Sequence, residues 1–286
     1  MMRLLRRALL AASPSLLVSP ALADESADFF REHERATGGR IGLYASNLAT
    51  GHALASRADE RFLMCSTFKV SLVACALARV DQGQDRLGRF ISYAASDLLS
   101  YAPASRQNLA KGGMTLGAIC QAAIELSDNT SANLLLNAIG GPNTLTRFWR
   151  TIGDPISRLD HNEPQLNRSS PDDMQDTTTP AAMAGNLRRL LLGDVLSPES
   201  RDHLTRWMLN CRTSATLLRA GLPSDWKVAD KTGNNGRDVL ADIAVAWPAP
   251  GRPVIICAYT QGGVPKPEQL SIALARIGQL VGKQLV

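Results

Sequence analysis

The residues able to do chemistry fall into three short clusters. Ser66-Thr67-Phe68-Lys69 sets a hydroxyl and an amine three positions apart. If Ser66 opens a helix, Lys69 lies on the same face. A serine hydroxyl becomes a nucleophile when a neighbour takes its proton, and a lysine amine can do so if its charged form is disfavoured. A helix start also turns backbone N–H groups toward an oxyanion developing beside it. Alone the pattern is weak, because a lone serine there reads equally well as a helix N-cap. A second copy stands at Ser224-Asp225-Trp226-Lys227, but it follows Pro223 and leads into a strand pattern, so it lacks the helix. Ser127-Asp128-Asn129 lies between two helical patterns, and Lys231-Thr232-Gly233 at the end of a strand pattern. Taken singly, a capped turn and a strand end with a glycine turn account for these two. All three together, in this order, are a far more specific signal.

These clusters need elements to position them. Residues 26–36 read as a short helix. Arg40–Asn47 and His52–Ser56 read as strands joined by a turn at Ala49-Thr50-Gly51. Lys69–Val80 is rich in Ala, Leu and Val without a breaker, which predicts a buried helix. Helical patterns continue over Thr115–Leu126, Ser131–Ile139, Asn143–Ile152, Thr179–Leu192 and Ser200–Asn210. Residues 158–176 are polar and irregular, with Pro164 and Pro171, and long for a structureless connection; they are a candidate functional loop. Strand patterns return at Lys227–Lys231, Leu240–Trp247 and Val254–Thr260, and an amphipathic helix over about 268–285 closes the chain. The expected fold class is α+β: an antiparallel sheet from both chain ends with flanking helices, and an all-α lobe inserted between them. The α/β lobe is expected over about 24–58 and 211–286, and the all-α lobe over about 59–210, with the site in the cleft between.

Composition bounds the rest. The 286 residues are 45% hydrophobic and 20% charged, an ordinary globular balance. The formal net charge is +5, but Arg3, Arg6 and Arg7 account for three of those charges and belong to an export signal. They form its basic segment, Ala8–Val18 its apolar segment, and Ala21-Leu22-Ala23 its cleavage pattern. Residues 1–23 are therefore expected to be removed, leaving a secreted chain, periplasmic in a Gram-negative cell. Arg6-Arg7 also fits a twin-arginine signal, so Sec and Tat routes both stand. No basic block follows, which excludes nucleic acid as a partner, and no later segment is apolar enough to cross a membrane. His33, His52, His161 and His203 and the five cysteines lack metal-ligand spacing, so no metal or other cofactor is expected. Cys65, Cys75, Cys120, Cys211 and Cys257 read mostly as small buried apolar residues. Nothing calls for an oligomer, and a monomer acting on small molecules is expected.

Over nearly all of the mature chain the sequence resembles the class A serine β-lactamases, within the penicillin-recognising serine hydrolases. The resemblance rests on Ser66-Thr67-Phe68-Lys69-Val70, Ser127-Asp128-Asn129-Thr130, Glu163-Pro164-Gln165-Leu166-Asn167, Asp176-Thr177-Thr178 and Asp230-Lys231-Thr232-Gly233. It implies hydrolysis of the β-lactam amide bond of penicillins and cephalosporins through an acyl-enzyme on Ser66. Lys69 would help deprotonate Ser66, alone or with Glu163 acting through water. The N–H groups of Ser66 and Asn234 would form the oxyanion hole. Ser127 would pass a proton to the departing nitrogen, and Lys231 and Thr232 would bind the substrate carboxylate. Tyr101, Asn129, Asn167, Thr232, Gly233 and Asn234 would make up the substrate-binding set. Two alternatives share much of this machinery, a penicillin-binding DD-peptidase and a β-lactam sensor domain. Glu163 with Asn167, inside the 158–176 loop, separates them, because a β-lactamase needs a water-activating carboxylate there to release the β-lactam acyl-enzyme, whereas in the other two that acyl-enzyme persists.

The chain also departs from the family. Many members carry an arginine near the carboxylate site, where Leu217 and Leu240 stand here; Arg212, Arg219 and Arg237 are the candidates to replace it. Asn234 and Asn235 follow the Lys-Thr-Gly triplet, and their amides are expected to reach the substrate. Carbapenem-hydrolysing members pair a cysteine at position 65 with one where Asn235 stands, so that bridge is not available. Cys75 is displaced two residues from the cysteine that other members bridge near Cys120, about 200° around a helix, so no bridge is expected there. In the family an arginine follows the Arg158-Leu159-Asp160 triplet and pairs with an aspartate across the loop base. Here that residue is His161 and the partner Asp176, which predicts a weaker, pH-dependent anchor for the Glu163 loop.

Overall fold

A computed structural model describes residues 20–168 and 173–286. The export segment expected over 1–23 lies outside the described residues as far as position 19. The first helix, α1, spans Pro20–Thr37, and so begins before the helix expected over 26–36. Strands β1 (Arg40–Asn47) and β2 (Ala53–Ser56) follow, and a short β3 (Phe62–Leu63) leads through a 3₁₀ turn, Cys65–Phe68, into α2 (Lys69–Asp81).

Helix α2 is the axis of the helical lobe. Every residue from Lys69 to Ala78 is buried. A helix apolar on all sides is stable only when other elements surround it. Those elements are α4 (Leu116–Glu125), α5 (Asn129–Ile139), α6 (Pro142–Thr151) and α8 (Pro198–Leu209), all of which touch α2. Between α2 and α4 come β4 (Phe90–Ser92), α3 (Pro103–Gln107) and β5 (Gly113–Thr115), with β4 and β5 paired antiparallel. Side-chain caps fix the helix starts: Asp128 accepts from Ser131 N for α5, and Ser197 accepts from Ser200 N for α8. The Asp81 carboxylate accepts bonds from Ser197 and Ser200, which ties the end of α2 to the start of α8.

The chain then returns to the sheet. A short β6 (Thr177–Thr178) pairs with β3, and α7 (Pro180–Leu187) packs over β1 and β9. The helical pattern over 179–192 is not one helix, because its last residues, 188–192, widen into a π-helical turn that ends at Gly193. After α8 comes a short α9 (Leu218–Gly221), then β7 (Lys227–Asn234), β8 (Leu240–Ala249), β9 (Arg252–Gln261) and α10 (Pro267–Gln284). The five-stranded sheet has the order β2-β1-β9-β8-β7 and is antiparallel throughout, so both chain ends build it, as its sequence order implies.

Both faces of this sheet are covered, which explains why β8 and β9 read as near-continuous apolar runs. On one face Ala241, Ile243, Val245, Ile255, Cys257 and Tyr259 join the core shared with α2. On the other, Leu240, Ala244, Ala246, Val254, Ile256 and Ala258 pack with Leu217, Leu218 and the buried side of α10. All five cysteines are buried and free. Among the described residues no helix is long and apolar enough to cross a membrane.

One expectation needs correction. The strand expected over Lys227–Lys231 continues to Asn234, so Lys231-Thr232-Gly233 lies within the closing half of β7, where Gly233 pairs with Ala241. The glycine answers to a close approach and not to a turn. A Cβ there would stand 2.7 Å from Met64 O and 3.2 Å from Ser66 N, so only glycine lets β7 lie against the Ser66 turn.

Candidate active site

The site is assembled where the start of α2, the start of α5, the 158–168 segment and β7 converge. β7 is an edge strand of the sheet, so part of its backbone hydrogen-bonding capacity faces away from β8. A cleft of about 590 Å³ opens there, lined by Ser66, Tyr101, Ser127, Asn129, Thr232 and Asn234, among others. Size does not single it out, since grooves of about 510 and 530 Å³ flank α1. Its convergent polar groups do.

Ser66 sits in the 3₁₀ turn before α2, directly after Cys65, whose φ is +44°. Ser127 (φ +56°) and Asp176 (φ +56°) share this unusual region. Each such residue costs roughly 1–3 kcal/mol and persists only where its surroundings enforce it. Here the three lie at the nucleophile turn, at the start of α5 and at the base of the Glu163 segment. Lys69, three residues on, is fully buried. Its ammonium donates to Ser127 O at 2.9 Å and Asn129 Oδ1 at 2.6 Å, and lies 3.1 Å from Glu163 Oε1. Burial pulls the Lys69 pKa below the usual lysine range, with the Glu163 carboxylate opposing that fall.

Glu163 Oε1 also lies 3.4 Å from Ser66 Oγ, a long hydrogen bond. The other carboxylate oxygen accepts from Asn167 Nδ2 at 2.6 Å. Asn167 Oδ1 is buried and accepts no bond from the protein. A residue not singled out from the sequence completes this side: Asn133 accepts from Glu163 N and donates to Glu163 O, both at 2.9 Å. Asn133 lies one helical turn after Asn129 on α5, a spacing that puts both on one face but does not name the Glu163 backbone as partner.

Asp128 of the Ser-Asp-Asn triplet faces away from the chemistry. It caps α5 and accepts from Ala104 N, Ser105 N and Ser105 Oγ at 2.8–3.0 Å. These bonds fix α3, and Asn129 N donates to Tyr101 O, so the half-exposed Tyr101 is held at the rim. Lys231, buried on β7, donates to Ser127 Oγ at 3.0 Å and to Thr232 O at 2.8 Å. Burial lowers its pKa to about 8. Thr232 Oγ1 lies 2.6 Å from Thr213 Oγ1, a second cleft residue not foreseen; it belongs to a connection that only the tertiary fold brings to the cleft.

The arginine candidates do not reach the cleft. Arg219 binds Asp230 through two nitrogens at 2.8 and 3.0 Å and also Val228 O, while Arg237 is largely exposed beside Asp238. Arg212 is exposed and does not line the cleft. Leu217 and Leu240 do line it. Asn235 lines the cleft, as expected, but its amide is engaged: Oδ1 accepts from the N–H groups of Arg237, Asp238 and Val239, and Nδ2 donates to Asp238. That amide is occupied in shaping the turn between β7 and β8. Asn234 Oδ1 accepts from Gly236 N at 2.5 Å.

Comparison with known proteins agrees with this geometry. A family model described as "Beta-lactamase enzyme family" matches residues 22–285. Beta-lactamase L2 of Stenotrophomonas maltophilia is 44% identical over 255 residues, 89% of this chain and 84% of that protein. Beta-lactamase AER-1 of Aeromonas hydrophila is 42% identical over 248 residues, 87% of this chain and 82% of that one. Among solved structures, an ancestral (GNCA) beta-lactamase of class A superposes with a TM-score of 0.86 at 50% identity, covering 91% of this chain and 98% of that one. A beta lactamase from Xanthomonas campestris superposes with a TM-score of 0.88 at 44% identity, covering 92% and 98%.

Proposed function

The chain belongs to the class A serine β-lactamases and hydrolyses β-lactam antibiotics, giving resistance to them, and from that premise we propose how its residues divide the work. Ser66 Oγ attacks the β-lactam carbonyl carbon. Its proton passes to Glu163, directly or through a bridging water. Lys69 is surrounded by three acceptors, which use all three N–H donors of its ammonium. In that state it has no lone pair to offer, and its charge steadies the ionised Glu163. The oxyanion rests on the N–H groups of Ser66 and Asn234. The C–N bond then breaks, and the nitrogen takes the Ser127 proton; Ser127 is tied to the Lys231 ammonium. The proton that Ser66 gave up then passes from Glu163 by way of Lys69 to the Ser127 oxygen, which restores Ser127 and leaves Glu163 ionised. Glu163 next draws a proton from a water held with Asn167 Oδ1, and that water attacks the acyl-enzyme. The bond to Ser66 Oγ breaks and the serine regains a proton.

The observation that carries this reading is the placement of Glu163 Oε1 within reach of both Ser66 Oγ and Lys69 Nζ. It favours a β-lactamase over a DD-peptidase or a sensor, for which acylation by a β-lactam is the end of the path. The substrate's carboxylate lies toward Thr232, Thr213 and Lys231, and its side-chain amide beside Asn129; penicillins and cephalosporins both carry these groups. The test is Glu163→Gln. It is expected to form a penicilloyl adduct on Ser66, seen by intact-protein mass spectrometry and peptide mapping, and to hold it far longer than the parent. Release at the parental rate would end this assignment.

We extend the proposal to the whole chain: residues 1–23 direct export, and residues 24–286 act in the periplasm or outside the cell as a monomer. In support of export, the basic, apolar and cleavage patterns stand in order. The division into an α/β lobe over about 24–58 and 211–286 and an all-α lobe over about 59–210 is part of the same reading. Cell fractionation and size-exclusion chromatography test the first two points.

A further inference from the structure

β8 is buried from Leu240 to Ala246, and one acid interrupts it. Asp242 is fully buried. Its Oδ2 accepts one long bond, 3.3 Å from Leu218 N, and its Oδ1 has no partner. Among the described residues no lysine or arginine pairs with it; the nearby Arg219 is taken by Asp230. A carboxylate with one weak donor and no cation is costly to bury, and a neutral carboxylic acid is far less so.

Its place in the register gives this acid a consequence. Asp242 stands directly opposite Thr232, with both side chains on the same face of the sheet and Cβ atoms about 5 Å apart. Thr232 lines the cleft, as do Leu240 and Leu217 beside it. Charge in this quarter is otherwise balanced. Arg219 offsets Asp230, and Lys69 offsets Glu163. Among the described residues no charged side chain lines the cleft itself. The sign of the Thr232 end is therefore set by Lys231 and Asp242. An ionised Asp242 would put a negative charge immediately behind the hydroxyl that receives an anion and would cancel Lys231. A neutral Asp242 leaves that end positive.

We propose that Asp242 is a positioning residue for substrate binding: kept as the neutral acid behind Thr232, it leaves the Lys231 charge free to hold the substrate's carboxylate. The inference rests on the reading that the carboxylate lies at this end. The titratable groups around Asp242 come from several elements. On β7 these are Asp230 and Lys231, on α9 Arg219, and on β9 Cys257 and Tyr259 on the opposite face; the buried residues of α10 are apolar or glycine. Cys211 adds a thiol near Lys231 and Arg219. Burial first, and then Asp230, push the Asp242 pKa well above the carboxylate range; Lys231 and Arg219 oppose the rise without pairing with it.

Two measurements on the mature enzyme test this. Surface aspartates are ionised at about pH 7, so an infrared band of a protonated carboxylic acid there reports a buried neutral acid. The parent should show the band, and Asp242→Asn should lose it. The parent measurement stands even if the variant folds poorly. The second is KM against pH for a β-lactam with a free carboxylate and for its methyl ester. In the parent, Asp242 or Lys231 can lose the first proton as pH rises, whereas in Asp242→Asn only Lys231 can. The variant should match the parent within about twofold at neutral pH and hold a KM about threefold lower near pH 9, with kcat unchanged and the ester indifferent. Absence of the acid band overturns the proposal. So does an alkaline rise in KM that moves to lower pH in the variant, since that means an ionised Asp242 supports Lys231. So does a coincident profile for both proteins while acid and ester still differ, which leaves the carboxylate reading standing. An ester that follows the acid's profile removes the carboxylate reading, and the proposal with it, even with the band in place.

Discussion

The two ends of the cleft handle buried charge in opposite ways. At the Ser66 end, Lys69 and Glu163 are both fully buried and sit 3.1 Å apart, and asparagines hold both groups. At the Thr232 end, Lys231 is equally buried, but its donors go to Ser127 Oγ and a backbone carbonyl, and among the described residues no carboxylate forms an ion pair with it. The first end is neutral overall and suits proton movement, because a proton can pass among its groups without creating a lone buried charge. The second end keeps a net positive charge for an anion to fill. Hydrolysis needs both, and substitutions should separate them: kcat should follow the first end and KM the second.

The sharpest way to break that division is at the nucleophile. Ser66→Ala is expected to lower turnover of a chromogenic cephalosporin by at least about 10³-fold, and Ser224→Ala to leave it unchanged. If Ser224→Ala removes activity, the wrong serine has been placed at the neutral end. Next comes Glu163→Gln, expected to cut kcat by about 10²–10⁴-fold, with acylation slowed but release slowed far more, so that the adduct accumulates, as single-turnover mass spectrometry would record.

What the sequence revealed about these ends follows from chain distance. Ser66 with Lys69, and Glu163 with Asn167, are each one helical turn apart, so local spacing reports them. The order strands, helices, strands, helix was enough to foresee a sheet built from both chain ends. Asn133 was missed because an asparagine inside a helical pattern carries no mark of its partner, and its partner is Glu163 backbone 30 residues away. Thr213 and the occupied Arg219 were out of reach for the same reason. Asp242 was visible as the single acid in an apolar strand, but its burial and its register opposite Thr232 exist only in the folded sheet. The extension of β7 through Gly233 was hidden because glycine suggests a turn, whereas here it permits contact with the Ser66 turn.

Asn133 gives a smaller test of the same contrast. Asn133→Ala removes both bonds to the Glu163 backbone and lets the carboxylate shift. A misplacement of about 1 Å in a reacting group can cost about 10²-fold. The expected result is a fall of about 10–10²-fold in kcat, with KM for a carboxylate-bearing substrate within about threefold. Asn133→Asp should not rescue it, because a carboxylate accepts from Glu163 N but cannot donate to Glu163 O. An equal rise in KM would show that the two ends are coupled through α5. Loss of folded protein would be read separately from the melting temperature, since removing two buried hydrogen bonds costs roughly 1–3 kcal/mol.

The smallest effect is expected at the base of the Glu163 segment. His161 Nδ1 lies 2.7 Å from Asp176 Oδ2, as the sequence suggested. Asp176 does more than pair with it. Its Oδ1 accepts from Asp160 N and His161 N at 2.8 and 3.0 Å, bonds that do not depend on the imidazole charge. Arg158 also binds Asp160 through two nitrogens. The anchor thus has a fixed part and a titrating part. The hydrogen bond to Asp176 raises the His161 pKa above the ordinary histidine value, with burial opposing. A raised folded pKa means that the stabilisation is fully present below the unfolded value, about 6.5, and is lost as pH rises through the folded one. Because the imidazole is 43% exposed, solvent screens the pair, and its contribution stays below about 1 kcal/mol. Hydrogen exchange over 158–168, corrected for intrinsic rates, should show slightly greater protection near pH 5.5 than near pH 8. His161→Arg keeps a charge at both values and should remove the difference. A looser base at high pH lets Glu163 and Asn167 shift and widens the cleft for bulky oxyimino side chains, so kcat/KM for such a cephalosporin should fall in His161→Arg, most at the higher pH. Equal protection at both pH values in the parent, with no change in the variant, would mean that the backbone bonds to Asp176 carry the anchor alone.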